Sequence, residues 1–299
     1  MIVSVIGEFN NNYITRSKSI CNAIKHFGYD IIEYDYKIAL INRYNKIFSE
    51  LPDLSKKSDI LIIDKGYNIP PEVIRKMSNN CCKILWFDDQ LYNLFDFKNK
   101  ILESSKYYNY RISSCDYIAK CWSEKTNLAT HTIQGGADTS IYYPTETDKI
   151  YDITFIGNKT PETSYIYEYL KLCKFNVKFF GNGFSDIIFP EYFREICSQS
   201  IICLDVDAES FDGYISQHTW NLIACKSAIV RKSKYTEDYT DFSVFNNLIG
   251  LANISKKIMI KNMVKREYNK LVSKISIRTW VDVIKDILNS AKENTKCLV

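Results

Sequence analysis

A chain of 299 residues with 46% hydrophobic content exceeds one ordinary domain, which points to two α/β domains around separate, sizeable cores. The formal net charge of +4, with Lys and Asp/Glu interspersed, reads first as a solvated surface and gives only mild encouragement to a nucleic-acid partner. Ten cysteines at irregular spacing, Cys81 and Cys82 adjacent, exclude a secreted disulfide framework and a CxxC metal site; they fit reduced, buried thiols in a cytoplasmic protein.

Met1 to Glu8 is too short an apolar run for a signal peptide and reads as a buried strand, Ile2 to Ile6, closed by Gly7. No stretch approaches the roughly 20 apolar residues of a membrane span. Helical spacing then runs from Tyr13 to Phe27 and stops at Gly28, followed by a strand at Tyr29 to Tyr34 and a helix around Ala39 to Glu50. Asp59 to Asp64 is a buried strand, Pro70 and Pro71 open a helix at Glu72 to Ser78, and Lys83 to Phe87 is a strand that delivers Asp88 and Asp89 to its carboxyl end. Cys115 to Lys120 reads as a further short strand, while Tyr107 to Arg111 reads as tyrosines on a half-buried helix. Ile133 to Pro144 leaves the sheet through a glycine pair, and the polar residues 145–150 read as the linker.

The same rhythm then restarts. Tyr151 to Ile156 is a strand, Gly157 to Thr163 a loop, Ser164 to Cys173 a helix, and Asn176 to Phe180 a strand that ends in Gly181-Asn182-Gly183. Ile201 to Val206, Ser227 to Val230 and Leu248 to Ile249 supply further strands, and Met259 to Ala291 reads as helix. This alternation predicts two facing Rossmann-like, doubly wound domains at 1–147 and 148–275, with residues 276–299 as a helix packing back on the first through Ile277 to Trp280.

Chemistry is most legible from Phe211 to Arg231. A polar, glycine-containing loop ends at Ser216, whose hydroxyl can cap a short amphipathic helix from Gln217 to Cys225, with Trp220, Ile223 and Ala224 facing inward. A loop, a helix amino end and a following strand are how an α/β fold offers amides and partial positive charge to a phosphate. Gln217, His218 and Asn221 sit at that helix start, and Gly157-Asn158-Lys159 and Gly181-Asn182 at the ends of neighbouring strands. Asp88 and Asp89 are candidate proton acceptors, because ligands of such sheets bind outside the carboxyl ends of the strands. Gly7 and Glu8, in the first loop, are expected to border the acceptor side.

The motif order resembles the GT-B glycosyltransferases, in particular the CgeB-like group related to the group-one glycosyl transferases. The likeness runs from about Cys115 onward through Gln134-Gly-Gly-Ala-Asp-Thr139, Tyr142-Tyr-Pro144, Tyr151 to Gly157, Val177 to Gly181, and Ser216 to Cys225. A further similarity is to the phage DNA β-glucosyltransferases, through Phe179-Phe-Gly-Asn182 and through Phe87-Asp-Asp89, which is similar to the Phe-x-Asp that supplies their general base. The resemblance implies a metal-independent GT-B enzyme with no cofactor beyond its nucleotide-sugar co-substrate, which would be a UDP-sugar. It implies Asp89 or Asp88 as base, and Gly157, Asn158, Lys159, Gly181, Asn182, Gln217, His218 and Asn221 around the donor. The acceptor is undetermined; the phage likeness sharpens it to a modified base in DNA. Asp205-Val-Asp207 matches the metal-diphosphate motif of the other glycosyltransferase fold, but its place in a second domain makes it strand-end polarity here.

Two departures stand out. Where the family has Arg at the helix start this chain has His218, and where it has Glu to accept ribose hydroxyls it has Asn221. A neutral amide weakens that grip by about 1 kcal/mol or more. Lys159 stands in a loop that usually carries arginine, as a point charge without bidentate geometry. These changes imply an unusual donor or an activity weakened or lost, and keep open a non-catalytic nucleotide or nucleotide-sugar binding protein of the same fold.

Overall fold

The computed structural model describes residues 1–9, 15–42, 46–67, 69–88, 95–185, 188–206, 214–232, 243–245, 247–263 and 278–294. The chain forms two compact units, one of Met1–Gly135 with Trp280–Val299 and one of Gly136–Thr279.

The first unit carries a parallel sheet of six strands: β1 (Ile2–Gly7), β2 (Asp30–Asp35), β3 (Ile60–Asp64), β4 (Cys82–Trp86), β5 (Tyr110–Ser113) and β6 (His131–Thr132), in the order β2-β1-β3-β4-β5-β6. Helices α1 (Arg16–His26), α2 (Tyr36–Asn42), α3 (Ile47–Lys57), α4 (Pro71–Lys76), α5 (Phe95–Ser104) and α6 (Asp116–Thr126) connect them, and α11 (Trp280–Asn294) closes the unit. Strands β3 and β4 are buried along their whole length, which is why, Lys83 and the terminal Asp64 apart, they read as apolar runs rather than as alternation. One core joins Val3, Val5, Ile24, Ile62, Ile84 and Trp86 to Trp280, Val283 and Ile287 of α11. The rings of Trp86 and Trp280 lie 5.4 Å apart.

The second unit carries five parallel strands: β7 (Tyr151–Ile156), β8 (Val177–Phe180), β9 (Ser200–Asp205), β10 (Ile229–Lys232) and β11 (Ser243–Phe245), in the order β11-β10-β9-β7-β8. Its helices are α7 (Pro161–Leu172), α8 (Pro190–Gln199), α9 (Gln217–Ala224) and α10 (Leu248–Met263). Core packs on both faces of the sheet, with Phe193, Ile196, Trp220 and Ile223 in one cluster and Phe155, Leu170, Phe179, Val230 and Leu251 in the other. In each unit the first two strands pair and the third joins the other side of the first. That reversal is the topological switch point, beyond whose carboxyl ends ligands of open α/β sheets bind.

Four local expectations fail. Cys115 to Lys120 is not a strand; it starts helix α6, and the strand is Tyr110–Ser113. A six-residue window cannot separate the two periods, and Trp122, outside that window, completes a buried helical stripe with Ile118 and Ala119. For the same reason Tyr107 to Arg111 is not helical in one piece: it ends a 3-10 turn and enters β5. Leu248 and Ile249 open helix α10, and the edge strand is Ser243–Phe245. The single helix expected over Met259 to Ala291 is interrupted: Arg278 and Thr279 are not helical and α11 starts only at Trp280, while α10 is described to Met263 and residues 264–277 lie outside the described set. Residues 145–150, the expected linker, are tied to the second unit: Thr145 N donates to Ser198 Oγ (2.9 Å), and Lys149 Nζ to the carbonyls of Ser198 (2.8 Å) and Ser200 (2.7 Å).

Candidate functional site

The switch point of the second unit lies between β7 and β9. Backbone bonds lace the two loops beside it: Gly157 N donates to Phe180 O (2.9 Å) and Lys159 N to Asn182 O (2.8 Å). Gly181 permits this approach, since its φ is +103° and a Cβ there would stand 2.5 Å from Gly157 O. Thr160 then caps α7 reciprocally: its hydroxyl accepts from Thr163 N (3.1 Å), while Thr163 Oγ1 accepts from Thr160 N (2.8 Å). Asn158, Lys159 and Asn182 are exposed, and Lys159 Nζ lies 5.7 Å from the centre of the Phe184 ring.

Helix α9 is pinned to the same end of the sheet by a buried charge. Ser216 Oγ accepts from Thr219 N (3.2 Å), and Thr219 Oγ1 donates to Asp205 Oδ2 (2.8 Å) at the end of β9. The Asp205 side chain is 0% exposed and pairs with Arg231 of β10, Nε to Oδ2 3.4 Å; Arg231 Nη2 donates to Tyr214 O (2.7 Å) in the loop that enters the helix. A carboxylate in that place stabilises the helix start by bonding rather than by exposure. Gln217 Nε2 donates to Gly136 O (3.0 Å) and to Asn221 Oδ1 (2.9 Å), so Asn221, also buried, spends its carbonyl on its helix neighbour. The half-buried His218 ring stands edge-on to Phe193, centroids 5.4 Å apart. The first turn of α9 and the loops after β7 and β8 thus share one end of one sheet. Helix-start amides, a lysine and an imidazole there favour an anion.

The first unit holds a second polar cluster. Arg16, first residue of α1, donates from Nε to Asp64 Oδ1 (2.9 Å) and from Nη2 to the same oxygen, while Nη1 pairs with Asp88 Oδ2. Trp86 Nε1 also donates to Asp88 Oδ2 (2.8 Å), and Ser114 N to Asp88 Oδ1 (2.6 Å). Asp64 Oδ2 accepts from Ser17 Oγ (2.7 Å), which in turn accepts from Glu8 N (3.2 Å). Burial alone would push the Asp64 carboxyl up, but the Arg16 charge and bond and the Ser17 hydroxyl outweigh it and hold it below the usual carboxylate range. Gly7 makes room for this, because a Cβ there would fall 2.0 Å from Ser17 Oγ.

Of the residues singled out in the sequence, Gly157, Asn158, Lys159, Gly181 and Asn182 come together in the laced loops, and Gln217, His218 and Asn221 lie on α9. Gly7 ends β1, and Glu8 follows it, paired to Lys37. Asp88 is buried with both oxygens engaged. Asp89, Asp207 and residues 211–213 lie outside the described residues. Sequence reasoning missed Arg16, Asp64, Thr219 and Arg231. The signal was partial: Asp64 ends an apolar run as Asp88 does, but only strand order puts β3 beside β4, where Arg16 at the start of α1 reaches both acids. Among the described residues no group of His, Cys, Asp and Glu is arranged to hold a metal, and no helix is long and apolar enough to cross a membrane.

No protein-family model matches the chain, and no curated protein matches it either. Solved structures do. An α-glucosyltransferase in complex with UDP and a 13-mer DNA containing a central A:G mismatch matches with a TM-score of 0.73 at 11% identity, over 98% of this chain and 100% of that one. The DNA modifying enzyme β-glucosyltransferase, solved in the presence and absence of uridine diphosphoglucose, matches at 0.58 and 15%, over 98% and 97%. TarM matches at 0.56 and 15%, over 81% of this chain and 57% of that one. These likenesses establish the GT-B fold; the CgeB-like part of the resemblance has no counterpart among them.

Proposed function

We propose that this protein is a glycosyltransferase that moves a sugar from a UDP-sugar to a base of modified DNA, with the donor on the second unit and the acceptor on the first. The supporting observation is the match over 98% of the chain to a transferase in complex with UDP and DNA. The anion-favouring end of the second sheet supports the donor half independently, since it was built from this chain's own residues.

In this reading the diphosphate meets the amides after Gly157 and at the start of α9, with the Lys159 ammonium adding charge and the His218 ring a polar group beside it as the sugar–phosphate bond breaks. An acceptor hydroxyl attacks the anomeric carbon and gives its proton to a carboxylate. Asp88 spends both oxygens on Arg16, Trp86 and Ser114, so we assign the base to Asp89, the next residue in the chain. Protein groups rather than a metal carry the leaving charge, so transfer is expected to survive EDTA.

The test is incubation with UDP-glucose and duplex DNA carrying a hydroxymethylated pyrimidine, followed by mass analysis of the DNA. Addition of a hexose is the expected result; binding of UDP without transfer or slow donor hydrolysis would favour the second reading, a nucleotide-sugar binding protein. That second reading draws on one observation, the commitment of the Asn221 carbonyl to Gln217. With its acceptor engaged, Asn221 has less to offer a ribose diol than the glutamate it replaces.

A further inference from the structure

We propose that Asn221 is a specificity-determining residue that donates from Nδ2 to a phosphoryl oxygen of the nucleotide, and that Gln217 is the positioning residue that turns it that way. The inference rests on the donor half of the function proposed above. The orientation follows from a backbone carbonyl. Gly136 O can only accept, so the Gln217 side-chain atom 3.0 Å from it is the nitrogen, Nε2. That nitrogen directs its second hydrogen at Asn221, 2.9 Å away, and only the Asn221 oxygen can receive it. Asn221 Oδ1 therefore faces Gln217, and Nδ2 takes the opposite edge of the amide. The relay starts from a firmly held segment: Ala137 N donates to Arg278 O (2.9 Å), and a Cβ on Gly136 would stand 2.7 Å from the carbonyl carbon of Thr279.

Among the described residues nothing accepts from Nδ2, although Asn221 is only 8% exposed. Burying an amide with idle hydrogens costs stability, and asparagine is a weak helix former, so neither packing nor propensity accounts for the residue at this place. A ligand oxygen would complete it. Helical side chains lean towards the amino end, which carries the Asn221 amide back over the first turn of α9, where Gln217 meets it from four residues earlier. Partial positive charge there favours an anion, and a phosphoryl oxygen is the strongest acceptor that a nucleotide offers. The same orientation removes another role: with Oδ1 committed to Gln217, Asn221 has no oxygen left to accept from sugar hydroxyls.

The experiment measures Kd for UDP and for uridine by calorimetry, with melting temperature alongside, in wild type, Asn221→Asp and Gln217→Leu. Asn221→Asp keeps the shape and the acceptor for Gln217 but puts a carboxylate oxygen where the donor stood. It is expected to weaken UDP by about 10-fold or more while uridine changes less than about 2-fold, a split that a merely loosened helix does not produce. Gln217→Leu frees the Asn221 amide to turn, so it is expected to weaken UDP several-fold with uridine again spared, and it remains informative if the aspartate variant fails to fold. Wild-type UDP affinity in a folded Asn221→Asp overturns the assignment of Asn221, and wild-type affinity in Gln217→Leu overturns the positioning role. Equal losses for UDP and uridine overturn the phosphoryl contact. A wild-type protein that binds no UDP sinks the donor reading itself, and the inference falls with it.

Discussion

Gly181 and Asp64 set the limits on what single positions here tolerate. At φ +103° and with Gly157 O where a Cβ would go, Gly181→Ala must give up either the backbone angle or the bonds that lace the two loops. The cost should be about 1–3 kcal/mol in denaturant unfolding, with a raised UDP-sugar KM if the proposed donor assignment of these loops holds. Asp64 ties stability to pH in a definite direction. Its folded pKa lies below its unfolded value of about 3.9, so the unfolded chain binds the extra proton first. The stabilisation is complete above the unfolded value and is lost as pH falls through the folded one. Melting temperature should therefore drop below about pH 4, and Asp64→Asn should flatten that drop while costing about 3–5 kcal/mol at neutral pH by leaving Arg16 with one partner fewer.

Helix α9 was legible from sequence, and its cap sits as expected: Ser216, then an inward Trp220, Ile223 and Ala224. Its anchoring was not legible, because Thr219, Asp205 and Arg231 meet only after β9 and β10 pair. Ser216→Ala should cost about 1 kcal/mol in unfolding experiments and weaken UDP binding. Helix α6 was misread for the opposite reason: a short apolar run carries no period of its own, whereas α9 came with a capping residue that marked its start. The carboxylates at the ends of β3 and β4 could be located from the apolar runs they terminate. The arginine that joins them could not, since nothing in the spacing between residues 16, 64 and 88 announces a contact. Trp280 shows the long-range version, a residue from the far end of the chain packed on Trp86. Trp280→Ala should cost about 3–5 kcal/mol in denaturant unfolding.

Repetition of one strand order in two units explains why the fold could be read from so diverged a sequence: buried parallel strands followed by helices leave the same rhythm twice, whatever the residues at the ligand. The residues assigned to the proposed donor are few and divided between a loop, which carries Lys159, and the start of α9, which carries His218 and Asn221. The small net charge of +4 leaves any DNA contact to local clusters, and such binding should weaken steeply as salt rises. Mass analysis of hydroxymethylated duplex DNA after incubation with the protein and UDP-glucose tests the central claim most directly. A hexose added to the DNA, dependent on the protein and abolished in Asp89→Asn, is the predicted result; unmodified DNA across a panel of UDP-sugars, with no UDP released, would contradict it.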